Sequence, residues 1–172
     1  ISSIFTESNG TVWIGTLENG LNRFPPTTGE FKQYHHDPAD PESLSSDQIY
    51  SILVDRHGLI WVGTDSALDL FDPETGKSKR YVPEETKNSL SGLPVHTIFE
   101  SRDGRLWLGT GNGLNQFDPA AETFISYHPN PNDPNSLSDE HVVAIEEDLR
   151  GDLWIGTVDS GLNRLNRQSE EF

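Results

Sequence analysis

Four tryptophans, Trp13, Trp61, Trp107 and Trp154, stand 48, 46 and 47 residues apart, and each opens the same kind of tetrapeptide: WIGT, WVGT, WLGT and WIGT. A unit of that length, met four times in 172 residues, leaves little room for a fold that is not itself periodic. Other positions keep the same step. A β-branched residue lies twelve before each Trp (Ile1, Ile49, Val95, Val142), a glycine three before it (Gly10, Gly58, Gly104, Gly151), and a leucine seven or eight after it (Leu21, Leu68, Leu114, Leu162).

Each unit reads as four short strands, A to D. Strand A is typified by residues 49–54 and 95–99, and a turn with glycine at a fixed place (SNG, DRHG, SRDG, DLRG) leads into strand B, which holds the Trp. Strand C runs through GLNRF, ALDLF, GLNQF and GLNRL, and strand D carries Tyr34, Tyr81 or Tyr127 near its end. Helical repeats would need apolar stripes of period 3.6, and the sequence has none. The B strands are apolar on both faces, as a sheet packed between two others requires. Small residues at Ser3, Ser51, Thr97 and Ala144 are expected where strands A crowd around a central axis. The fold class that follows is all-β, a β-propeller of about four consecutive four-stranded blades. The blades are expected near residues 1–36, 49–83, 95–129 and 142–172 of one propeller segment, the last lacking most of its outer strand.

Composition narrows the partners. The formal net charge is −16 with only 12 Lys and Arg, which excludes phosphate-backbone binding as a main role and argues against anionic membrane surfaces. Without cysteine there are no disulfides, thiolate metal sites or thiol nucleophiles. No apolar run reaches the length of a membrane span. The sequence has no Met, so Ile1 is not a translation start and a longer parent chain is expected.

The motif G-x-[LVI]-W-[ILV]-G-T, the GLNRF-type strand after it, and the linkers ESLSSDQI from Glu42, NSLSGLPV from Asn88 and NSLSDEHV from Asn135 resemble the two-component regulator propeller family. The resemblance covers essentially the whole chain. It implies part of a larger seven- or eight-bladed ring in the periplasmic or extracellular sensor of a bacterial regulator, often one tied to carbohydrate signals. It further implies that other blades, or self-association of copies, close the ring. Other propeller patterns fit less well. Strand C ends in Phe or Leu, not in a Trp-Asp pair; Asp103 and Gly104 are adjacent, which breaks the Asp-box spacing; and the acid–base His and Glu set of streptogramin lyase has no clear counterpart.

Neither a catalytic triad, a phosphate loop nor a convincing metal pattern is present, so no catalytic residue, metal or cofactor is expected. The six histidines read as surface or hydrogen-bonded structural groups, the loop aspartates as turn residues, and the Trp residues as blade-to-blade core. A binding site is expected where the repeats differ. The loops between strands B and C offer Glu18, Asn19, Asp65, Ser66, Asn112, Asp159 and Ser160, and the upper ends of strands A add Tyr50 and His96. Carboxylates, amides and hydroxyls suit a small hydroxyl-rich ligand or an oligosaccharide, because each sugar hydroxyl both donates and accepts. Two alternatives stay open: an enzyme on polysaccharide, hydrolase or lyase, suggested by the many carboxylates, and a purely structural interaction propeller.

Overall fold

The computed structural model describes residues 1–85 and 88–172. Fifteen strands lie among the described residues: β1 (Ser3–Thr6), β2 (Val12–Gly15), β3 (Leu21–Phe24), β4 (Lys32–Tyr34), β5 (Ile49–Val54), β6 (Ile60–Thr64), β7 (Leu68–Asp72), β8 (Lys77–Tyr81), β9 (Val95–Glu100), β10 (Leu106–Thr110), β11 (Gly113–Asp118), β12 (Thr123–Tyr127), β13 (Val142–Glu147), β14 (Leu153–Thr157) and β15 (Leu162–Leu165). They form four antiparallel sheets in sequence order, β1–β4, β5–β8, β9–β12 and the three-stranded β13–β15. Each sheet is one blade. Two compact units, Ile1–Tyr81 and Val82–Phe172, hold two blades apiece.

Both units are built around the same seam. In the first, Trp13, Leu21 and Tyr34 of one blade pack with Ile49, Ile52, Ile60, Val62 and Phe71 of the next, under Leu44 from the linker. In the second, Trp107, Leu114 and Tyr127 pack with Val142, Ile145, Leu153, Ile155 and Leu165, under Leu137. These are the same repeat positions. The tryptophan therefore fills the gap between neighbouring sheets, as the apolar pattern of strand B predicts, and Trp13, Trp61 and Trp107 are buried. Trp154 departs from the pattern at 37 % exposure, because nothing within its unit packs on the outer face of the fourth sheet.

The seam explains the glycine of the tetrapeptide. A β-carbon on Gly109 would lie 2.6 Å from Val142 Cγ1 and 2.7 Å from both the Val142 carbonyl oxygen and Thr97 Cγ2; one on Gly15 would lie 2.6 Å from Ile49 Cγ2. Ile49 and Val142, the β-branched residues that open the following strand A in each unit, occupy this space. The small residues Ser3, Ser51, Thr97 and Ala144 have a reason of the same kind: each pairs directly with that glycine in its own sheet, opposite Gly15, Gly63, Gly109 and Gly156. Gly109→Ala is accordingly expected to cost about 1–3 kcal/mol through overpacking. Gly156→Ala should cost clearly less, since its β-carbon would meet only Ala144 Cβ at 3.2 Å. Urea unfolding of the two variants compares them directly, and equal losses would contradict this account of the seam.

The fourth blade begins its outer strand. The Phe172 amide donates to the Asn135 carbonyl (3.0 Å), as Phe124 does to Asn88 (2.9 Å) and Ser78 does to Glu42 (2.6 Å) in the blades before it.

Candidate functional site

The nine residues singled out above lie on one end of their blades, where B-to-C turns meet the starts of strands A. Each turn is tied by the threonine that closes the tetrapeptide. The Thr64 hydroxyl donates to the Ala67 carbonyl (3.0 Å) and accepts the Ser66 and Ala67 amides (3.0 and 2.9 Å). Thr16, Thr110 and Thr157 donate in the same way to Gly20, Gly113 and Gly161. The turns are also pinned to the linkers: the Gly20 amide donates to the Asp47 carbonyl, Gly113 to Glu140 and Val158 to His141. Gly20 has φ +59, and a β-carbon there would fall 2.2 Å from the Tyr34 carbonyl oxygen, so the first turn admits no other residue without strain.

The linkers are held by their two serines. In Ser43-Leu44-Ser45 the first hydroxyl accepts the Asp37 amide (2.9 Å) and faces the Asp40 carbonyl (2.8 Å); Ser136 repeats this with Asn130 and Asp133. The second serine bonds strand C. Ser91 and Ser138 donate their amides to Asn115 and Asn163 (3.0 Å each) and accept the side-chain amides of those residues (2.7 and 2.8 Å). The second blade has Asp69 at this position. Ser45 donates both its amide (2.9 Å) and its hydroxyl (2.6 Å) to Asp69 Oδ2, while Asp69 Oδ1 is buried with no hydrogen-bond partner. Burial pushes the Asp69 carboxyl up to about 6, against the opposing pull of the Ser45 bonds, Arg80 and His36.

A feature invisible in the sequence falls on this end. Strands A of the second, third and fourth blades each carry a bulge at their second residue: Ile49 pairs with Thr64 and Ser51 with Gly63, so Tyr50 is the extra residue, and His96 and Val143 are its counterparts. A bulge frees one residue from the ladder and re-aims its side chain, and bulges concentrate beside functional sites.

In the first unit this end carries Glu18, Asn19, Tyr50, Asp65 and Ser66, with Glu18, Asn19 and Ser66 exposed and the other two half-buried. In the second it carries His96, Asn112, Asp159 and Ser160. Not all are equally free. The Asn112 side-chain amide already donates to the Ser91 carbonyl (2.7 Å), and Asp65 accepts the Ser66 hydroxyl (2.9 Å). His141, which the sequence reading left outside the site, belongs beside His96. Burial first, and the neighbouring His141 second, hold His96 below the ordinary histidine value. His141 Nδ1 in turn lies 3.6 Å from Asp139, whose carboxylate accepts the His141 and Asp159 amides (3.0 and 2.9 Å) and sits below the usual carboxylate range for that reason. The position of His141 two residues before its strand-A bulge was the available signal. Among the described residues no group of three or more His, Asp or Glu side chains is placed to hold a metal ion.

Two clefts lie away from these residues. One of about 610 Å3 in the first unit is lined by Glu42, Leu59, Leu70, Asp72 and Lys77 among others. One of about 470 Å3 in the second includes Pro83, Leu90, Ile125 and His128. Neither contains any of the nine residues.

The four sheets define the chain as a segment of consecutive β-propeller blades. Residues 43–66 and 89–112, each spanning a linker and strands A and B, match the two component regulator propeller family. The chain thus matches that family's repeat in two segments. It is similar to the extracellular domain of BT3049 from B. thetaiotaomicron, described as a hybrid two component system, at 27% identity and a TM-score of 0.78 over 97% of this chain and 22% of that one. The extracellular domain of BT4673 from the same organism, described likewise, gives 24% identity and a TM-score of 0.74 over 95% of this chain and 21% of that one. Virginiamycin B lyase from Staphylococcus aureus shares the fold at 19% identity, with a TM-score of 0.70 over 98% of this chain and 53% of that one. The chain thus spans about a fifth of the regulator structures it resembles. No curated protein matches it.

Proposed function

We propose that the chain is a non-catalytic, ligand-binding segment of a bacterial two-component sensor propeller, working outside the cytoplasm and recognising a hydroxyl-rich ligand such as an oligosaccharide. The bulges at Tyr50 and His96 carry the reading: they fall at the first turn of strands A on the end where the repeats vary in Glu18, Asn19, Asp65, Ser66, Asn112, Asp159 and Ser160. The tied threonine and serine framework beneath these residues holds their backbone in place before a ligand arrives, which lowers the cost of binding. The similar regulator structures span several times this length, so further blades of a larger ring complete the binding face.

A screen of oligosaccharides for binding, run beside an assay for product, tests the reading. Binding without turnover supports it. Product formation moves the chain to the hydrolase or lyase class, and silence in both assays leaves an interaction propeller. With a ligand in hand, Asp65→Ala and Asp159→Ala are each expected to weaken binding roughly tenfold, as the loss of a charged hydrogen bond does. Their melting temperatures should stay close to the parent's, because neither side chain supports the fold. Unchanged affinity in both variants would remove these loops from the site.

A further inference from the structure

Two buried N–H groups in the second unit find no acceptor within the protein: Trp107 Nε1 and Arg167 Nε. In the other three repeats the indole has one. Trp13 donates to Glu7 (2.6 Å), Trp61 to Asp55 (2.9 Å) and Trp154 to Asp148 (3.1 Å), in each case to the carboxylate six residues earlier. The third repeat has Ser101 there. Its hydroxyl is shorter and is turned to Asp103 Oδ1 (2.6 Å) and the Arg105 carbonyl (3.0 Å), leaving the Trp107 indole, 1 % exposed, with a free proton.

A small space adjoins the two orphaned side chains. A cavity of about 10 Å3 is lined by Trp107, Arg167, Gln116, Tyr127 and Glu170 with neighbouring atoms. That is the room of one water-sized sphere, and a buried water is retained where two to four polar groups converge on it. Both orphaned groups are donors, so the occupant must accept two hydrogen bonds. Gln116, Tyr127 and Glu170 supply oxygens that can receive its protons. An anion fits less well. The Arg167 guanidinium is already paired with Asp103 and with Glu147 (3.4 Å), and Glu170 adds negative charge at the wall.

We propose that a single water molecule is built into the seam between the third and fourth blades, accepting from Trp107 Nε1 and Arg167 Nε in place of the carboxylate that the other repeats provide. A crystal structure of the full chain grown in bromide, at a resolution that shows ordered solvent, tests this. One fully occupied oxygen within hydrogen-bond distance of both nitrogens supports it. A bromide anomalous peak there, or an empty site, overturns it. In solution the Trp107 indole proton is expected to show a cross-relaxation peak to a long-lived water, and a parent chain without that peak also overturns the proposal. Ser101→Asp should supply the repeat's usual acceptor and abolish both the oxygen peak and the water signal. A water that persists in the Ser101→Asp variant, with the introduced carboxylate bonded to Trp107, would overturn the claim that the water stands in for that carboxylate.

Discussion

Trp13→Ala is expected to cost the first unit about 3–5 kcal/mol, the usual penalty for removing a buried aromatic from a packed core. Trp154→Ala, the same change at the same repeat position, should cost no more than about half of that. Trp13 is 0 % exposed, stacks on Tyr34 (centroids 6.2 Å apart), meets Phe71 edge-on (6.2 Å) and lies under the Arg23 guanidinium (5.5 Å). Its removal opens a cavity between two sheets that cannot close without shifting both. Trp154 is 37 % exposed and faces outward from its sheet, so its loss leaves little void. Chemical denaturation of both variants, followed by far-ultraviolet circular dichroism, measures the difference. Equal losses would mean that the tryptophan serves its own sheet and not the seam. A Trp13→Ala chain of undiminished stability that had lost ligand binding would place the indole in the site.

Asp69→Asn should raise stability by up to about 3 kcal/mol near pH 7.5 and change it little near pH 4. The sign follows from burial. The folded protein holds the Asp69 proton up to about pH 6, whereas an exposed aspartate releases it near 3.8. The folded state therefore binds more protons across that interval. The contribution of this group to stability is complete below 3.8, falls as pH rises, and is lost above about 6. Asparagine removes the ionisation and can repeat the two bonds that Asn115 makes to Ser91. The groups facing Asp69 are Ser45, Arg80 and His36, so part of the gain is offset by an Arg80 left without its nearby carboxylate. Unfolding curves at several pH values between 4 and 8 resolve the effect. A difference between parent and variant that did not change with pH would refute the assignment.

The fold was legible because its determinants are repeated. The Trp, the glycine two residues after it and the β-branched start of strand A recur at fixed steps, and the structure gives each the contact its chemistry suggests: the aromatic fills the seam, the glycine leaves room, and Ile49 or Val142 enters. Small residues at the strand-A positions were legible too, but their reason lies in pairing with the glycine. The candidate site was less legible. Sequence placed the variable residues on one end, since turn positions follow from strand boundaries. It could not show the bulges at Tyr50 and His96, because an extra residue in one strand is a property of register with its partner. Nor could it show His141 beside His96, which depends on two strands from different blades lying next to each other.

The matched seams have a consequence for how such a chain can change length. In the seam of each unit one blade presents an indole and a glycine notch, the next blade presents a β-branched side chain with an aromatic or leucine, and the same repeat positions meet in both units. A blade excised at its serine-bearing linkers is thus an interchangeable cassette: duplicated, deleted or moved to another place in the order, it meets a surface already shaped to receive it. Recombination can vary the number of blades without redesigning any core, and the loops that distinguish one blade from the next travel with the cassette.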